Sequence, residues 1–219
     1  MAPVISRAPE TFRKLAALDF GTLDPMLFRD ALDLARTAAQ RVCIFAIYRT
    51  ELQIDAWRKQ RPDSDGERVL ACIHAVVELM RRLADLLEAH EDYSMFDALV
   101  RLQRCQPTNP NFERTLKNNA ENWYCRSFIY ELFRMCYIPE HEAVEEAVSG
   151  IVRAGDRSFG PQPQSLRDRQ AEIRARYREI PLKDIAPDHE AAKKALPATL
   201  TALAEIAEKL IGMLEKLPG

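Results

Sequence analysis

From Met26 to Gln60 the chain runs without a glycine or a proline. Within that run Phe28, Leu32, Ala35, Ala39, Val42 and Ala46 recur three or four residues apart, the spacing that places apolar side chains on one face of an α-helix. Asp24-Pro25 stands directly in front, an N-cap acid followed by the residue best suited to a first helical position. "RPDSDGE" ends the run with turn-forming residues. A chain that commits so much of its length to one helix must build its core by packing other helices against it.

The remainder repeats that pattern. Glu67 to Ala89 carries two adjacent apolar stripes: Leu70, Ile73, Val77, Met80, Ala84 and Leu87, and Cys72, Val76, Leu79, Leu83 and Leu86. So broad an apolar face predicts the central helix of a bundle. Ser94 and Asp97 have capping-box spacing for a short helix ending near Cys105. "QPTNPN" reads as a loop, and a helix is expected from about Phe112 to Tyr137, interrupted at Pro139. "EHEAVEEAVSGIVRAG" should be a separate helix, with acids in its first turn to suit the helix dipole and Gly155 as its stop. "DRSFGPQPQ" is a linker candidate. "SLRDRQAEIRARYREI" is a charged helix, and the closing helix runs from Asp188 to about Leu217. Pro197 should kink or restart that last helix, whose core stripe is expected to be Leu200, Leu203, Ile206, Leu210, Met213 and Leu217. No strand alternation and no internal repeat is found. The expectation is an all-α, single-domain bundle of about seven helices. Its parts would be a main bundle over 1–155, a linker and basic helix over 156–187, and a C-terminal helix packing back over 188–219.

Composition narrows the function classes. A net charge of −2 gives no global attraction to nucleic acid or acidic lipid, so such binding needs a local patch. No segment has the length and apolarity of a membrane span, and the N-terminus has no apolar leader pattern, which points to a cytoplasmic protein with no membrane partner. The five cysteines, Cys43, Cys72, Cys105, Cys125 and Cys136, lack metal-ligand spacing and read as reduced thiols packed among apolar neighbours. Neither GxxxxGK, GxGxxG, GxSxG nor HExxH occurs.

"RVLACIH" joins a phosphate-binding residue type, Arg68, to a proton-transfer type, His74. Six helical positions separate them by about 120° around the axis, so within one helix they cannot meet on a single phosphate. His74 shares its face with Glu67, Glu78, Arg81 and Asp85, as on a solvated surface.

The segment "VVELMRRLADLLEAHEDYSMFDALVRL" resembles the middle of the HEPN-type helical proteins of the abortive-infection kind. Arg82, Leu83 and Asp85 match the family's Arg-Leu-x-Asp run, and Ser94, Met95 and Leu99 match its following short helix. The likeness covers roughly half of the chain. It implies a HEPN-like fold, RNA as partner, and a place in phage defence or a toxin system. The family's catalytic mark is an Arg followed after four to six residues by His, ahead of the final helix. Here Arg169 is followed by Arg176, and the histidine is absent. Because arginine does not shuttle protons near neutrality, the resemblance implies RNA binding with ribonuclease activity in doubt.

Arg167, Arg169, Arg174, Arg176 and Arg178 crowd that one segment, and Arg169 and Arg176, seven apart, share a face that could clamp phosphates. Pairing with Glu172 would instead make it a solvated surface helix. Asn119, Asn122, Arg126 and Tyr130 run along one face, either as a buried polar network or as the lining of a polar pocket. His141 among Glu140, Glu142, Glu145 and Glu146 lacks the Glu-x-x-His pattern of di-iron bundles, so neither metal nor cofactor is expected. Three readings follow: a HEPN-like RNA-binding protein, a non-enzymatic helical interaction protein acting through a homodimer or protein-partner interface, and a pocket protein.

Overall fold

A computed structural model describes residues 3–60, 65–105, 129–157, 164–180, 184 and 186–215. Among them every regular element is helical: α1 (Pro3–Ser6), α2 (Ala8–Ala16), α3 (Pro25–Arg58), α4 (Gly66–Glu88), a 3₁₀ turn (Glu91–Tyr93), α5 (Met95–Cys105), α6 (Tyr130–Leu132), a π-turn (Phe133–Tyr137), α7 (Ile138–Ala154), α8 (Gln164–Glu179) and α9 (His189–Glu215). The protein is all-α. The "QPTNPN" loop, most of the helix expected from Phe112, and the centre of the "DRSFGPQPQ" linker lie outside the described residues.

α3 begins where its cap requires. The Asp24 carboxylate accepts the amide protons of Met26 and Leu27 at 2.7 and 3.3 Å, and Pro25 takes the first position. Its six stripe residues, Phe28 to Ala46, are all buried, and Thr50, Gln53 and Trp57 continue the stripe. Four of the buried residues are alanines (Ala35, Ala38, Ala39, Ala46), which lets α4 approach closely.

α4 is the central helix. Asp65 caps it by accepting from Glu67 N at 3.1 Å, and both of its apolar stripes are buried except for half-exposed Leu70, because α3, α7 and α9 all pack against it. The first residue of α4 sits at a close approach: a Cβ on Gly66 would lie 2.7 Å from Val152 Cγ1 of α7 and 3.3 Å from the Trp57 indole nitrogen of α3, so any larger residue requires Val152 to shift.

The sequence expectations need correction in three places. Two N-terminal helices were not foreseen. α2 buries Ala8, Phe12 and Leu15 and packs chiefly on α9, with Phe12 fully enclosed. Pro139 does not interrupt its helix: the chain stays helical from Tyr130 to Ala154, and a π-turn over Phe133–Tyr137 lies just before the proline. A widened turn relieves the clash between the proline ring and the carbonyl four residues earlier. Pro197 lies inside α9, as expected, and the helix continues through it without a restart. The core stripe of α9 is Leu196, Leu200, Leu203, Ala207, Leu210 and Leu214, while Ile206 and Met213 are only half-buried. Two neighbours, α2 and α4, grip α9 and turn that face inward. Gly155 does end α7, at φ 66°, with the Gly155 amide donating to Val152 O and the Asp156 amide to Ile151 O.

Candidate functional site

The two ends of "RVLACIH" do separate structural tasks. The Arg68 guanidinium donates to the Met213 carbonyl at the C-terminal end of α9, and Arg49 of α3 donates to the neighbouring Leu214 carbonyl at 2.9 Å. Together they satisfy carbonyls left open in the last turn of that helix. His74 points elsewhere, with Nδ1 2.9 Å from Glu145 Oε1 of α7.

The other three histidines are also engaged. The His90 ring nitrogen Nδ1 accepts from Asp92 N at 3.1 Å, and its ring stacks on Phe28. Burial holds the His90 imidazole below its ordinary pKa. His141 Nδ1 lies 2.8 Å from the Tyr137 carbonyl. His189 has Nδ1 at 2.6 Å from the Glu88 carbonyl and Nε2 at 2.8 Å from Asp97 Oδ2, which ties the start of α9 to the end of α4 and to α5. Asp97 therefore completes only half of a capping box. Its amide donates to Ser94 Oγ at 3.3 Å, but its carboxylate turns to His189.

Ser94 belongs to a buried polar junction that sequence reading did not anticipate. Glu131 of α6 is 1% exposed, and its Oε1 accepts from Ser94 Oγ at 2.9 Å and from Phe96 N at 3.0 Å. A carboxylate thus caps α5 from outside. Burial pushes the Glu131 carboxyl up from its ordinary pKa, and its Oε2 has no hydrogen-bond partner among the described residues. Tyr130 beside it is buried, with its phenol raised by burial and by Glu88; Asn119, Asn122 and Arg126 lie outside the described residues. The residues that carry the HEPN resemblance are placed as follows: Arg82 pairs with Asp85 at 3.1 Å, and Leu83, Ser94 and Met95 are buried.

On α8 the arginines are exposed. Arg169 and Arg176 line one cleft of about 640 Å³ between α7 and α8, over Met135, Pro139 and Ile173. The same cleft is lined by Glu142, Glu146 and Glu172, so its acids outnumber its bases. Arg169 pairs with Glu172 at 3.3 Å, and Arg174 pairs with Glu140. Arg167 and Arg178 are exposed beside them. No histidine lines this cleft.

The acids of α7 hold helices together. Glu140 pairs with Arg174, Glu142 with Arg81 at 2.6 Å, and Glu145 with His74. Because the chain is already helical ahead of α7, these acids do not sit at a free helix start, and the dipole explanation gives way to cross-helix ion pairing. Among the described residues no group of three His, Cys, Asp or Glu could hold a metal ion. Cys43, Cys72 and Cys136 are buried free thiols, and burial pushes Cys43 up to about 12 and Cys136 to about 11. Such thiols are poor nucleophiles at neutral pH. Cys105 is exposed.

What the described surface does offer is the outer face of α3. Met26, Leu27, Leu34, Ile44, Tyr48 and Leu52 are all exposed, Met26 at 76%, Ile44 at 69% and Tyr48 at 59%. They lie roughly opposite the buried stripe of the same helix. Single exposed apolar side chains are ordinary, but six along one helix face form a stripe that water covers poorly. The signal was present in the sequence as Leu27, Leu34 and Tyr48 at multiples of seven.

Comparison with protein-family models, with curated proteins and with solved structures finds no match for this chain. Among the described residues no helix is long and apolar enough to cross a membrane.

Proposed function

We propose that this chain is a helical interaction protein whose working surface is the outer face of α3, docked against a helix of another polypeptide. The observation that carries this reading is the apolar stripe from Met26 to Leu52 on a helix whose opposite face is locked into the core. Covering one such Leu or Ile contributes at most about 1.5–3 kcal/mol, against an association cost of about 4–15 kcal/mol, so the stripe has to be covered along most of its length. The test is a photo-crosslinking amino acid placed at Tyr48, with the same group at Glu146 of α7 as a comparison. Protein adducts from position 48 and few from 146 are expected. Absence of any protein adduct at 48 contradicts the reading.

A second reading, RNA contact of the HEPN type, is supported by the convergence of Arg169 and Arg176 on one cleft. Glu142, Glu146 and Glu172 in that cleft weigh against a phosphate ligand. If RNA binds there, Arg169→Gln with Arg176→Gln lowers the slope of log affinity against log salt by about one to two units. Identical salt titrations for wild type and the double variant remove this reading.

A further inference from the structure

The stripe on α3 is more specific than a general adhesive face. Leu27, Leu34, Arg41 and Tyr48 recur every seven residues, with Asp30, Thr37 and Ile44 between them, so that the spacing alternates three and four. That is the seam of a helix pair packed at a shallow left-handed angle. Two charged residues interrupt it. Asp30 and Arg41 are both exposed, and neither makes a hydrogen bond or ion pair within the described residues. Their neighbours are satisfied: Arg29 pairs with Asp92 at 3.0 Å, and Asp33 with Arg36 at 3.0 Å.

We infer that the occupant of this face is a second copy of the same chain, with the two α3 helices antiparallel about a two-fold axis at the level of Ala35 and Arg36. The inference rests on the reading of α3 as the working surface. In this register Asp30 faces Arg41 of the second copy, and by symmetry the pair forms twice. Leu27 faces Ile44, and Leu34 faces Thr37. The seam from Leu27 to Tyr48 is about 32 Å long at 1.5 Å per residue. Other arrangements are penalised by the same two charges. A parallel pair in register would set Asp30 against Asp30 and Arg41 against Arg41, a like-charge cost at both positions. An antiparallel pair shifted by one heptad would set Asp30 against Tyr48, or Arg41 against Leu23, leaving each charge without its partner. The unpaired Asp30 and Arg41 thus specify orientation and register, as polar residues in helix seams do.

The test is a charge-exchange cycle on the full chain, read by sedimentation equilibrium. Wild type is expected to dimerise. Asp30→Arg and Arg41→Asp should each weaken the dimer at least about tenfold, since each sets like charges face to face twice. The variant carrying both changes restores both pairs, and its dissociation constant should return to within about threefold of wild type. Both positions are exposed, so circular dichroism should show unchanged helix content in every variant. The melting temperature should agree across variants at protein concentrations dilute enough for all to be monomeric, which separates dissociation from unfolding. A doubly exchanged protein no tighter than either single variant overturns the pairing. A wild type that stays monomeric at about 100 µM does the same. If it stays monomeric while a crosslinker at Tyr48 still captures another polypeptide, self-pairing fails and the working-surface reading stands. If neither occurs, both fail.

Discussion

Glu131 shows most directly how one residue ties the sequence to the stability of the fold. Its carboxyl is enclosed, accepts two hydrogen bonds through one oxygen, and leaves the other oxygen without a partner among the described residues. Burial raises its folded-state pKa, so protonation favours the folded form. The sign follows from linkage: its contribution is fully present below the unfolded pKa and is lost as pH rises through the raised folded value. Glu131→Gln keeps the accepting oxygen and removes the titration. Urea unfolding of both proteins between about pH 4 and pH 8 should therefore show wild-type stability falling relative to the Gln variant as pH climbs. A pH-independent difference would refute the assignment. His74 gives the opposite case, because its pair with Glu145 is largely solvated, and His74→Ala should change stability by no more than roughly 0.5 kcal/mol.

At the scale of elements, α2 makes the sharpest prediction. Phe12 is fully buried on a short helix that closes over α9, so Phe12→Ala should cost about 3–5 kcal/mol in a denaturant melt. An unmoved midpoint would mean that α2 is not part of the core. This helix was hard to read from sequence, because nine residues give barely two turns of periodicity and "RAPETFRKL" is mostly polar. α3 and α4 were legible for the opposite reason. Their apolar stripes repeat over many turns, and tertiary packing agrees with them at every position but Leu70. The stripe of α9 was legible only in part: its sequence is apolar over a wide arc, and which strip turns inward depends on α2 and α4. Pro139 misled, since it removes one helical hydrogen bond that surrounding packing and a π-turn can absorb.

At the scale of the molecule, the candidate surface was the least legible feature. Periodicity identifies which face of α3 is buried, but whether the opposite face remains bare depends on where every other helix goes. The heptad spacing of Leu27, Leu34 and Tyr48 is legible in the sequence, but that these residues and Ile44 stay exposed follows only from where the other helices pack. Of the arginines of α8, which stand out in the sequence, Arg169 and Arg174 are answered by Glu172 and Glu140 once the helices are in place. A second chain covering the outer face of α3 is what gives this bundle its proposed role. Hydroxyl-radical footprinting between about 1 and 100 µM protein tests it directly, because Met26 and Tyr48 are exposed and reactive and Tyr137, partly exposed away from α3, serves as the internal standard. Met26 and Tyr48 are expected to lose reactivity as concentration rises while Tyr137 keeps it. Unchanged reactivity at Met26 and Tyr48, or protection falling on Tyr137 instead, would contradict it.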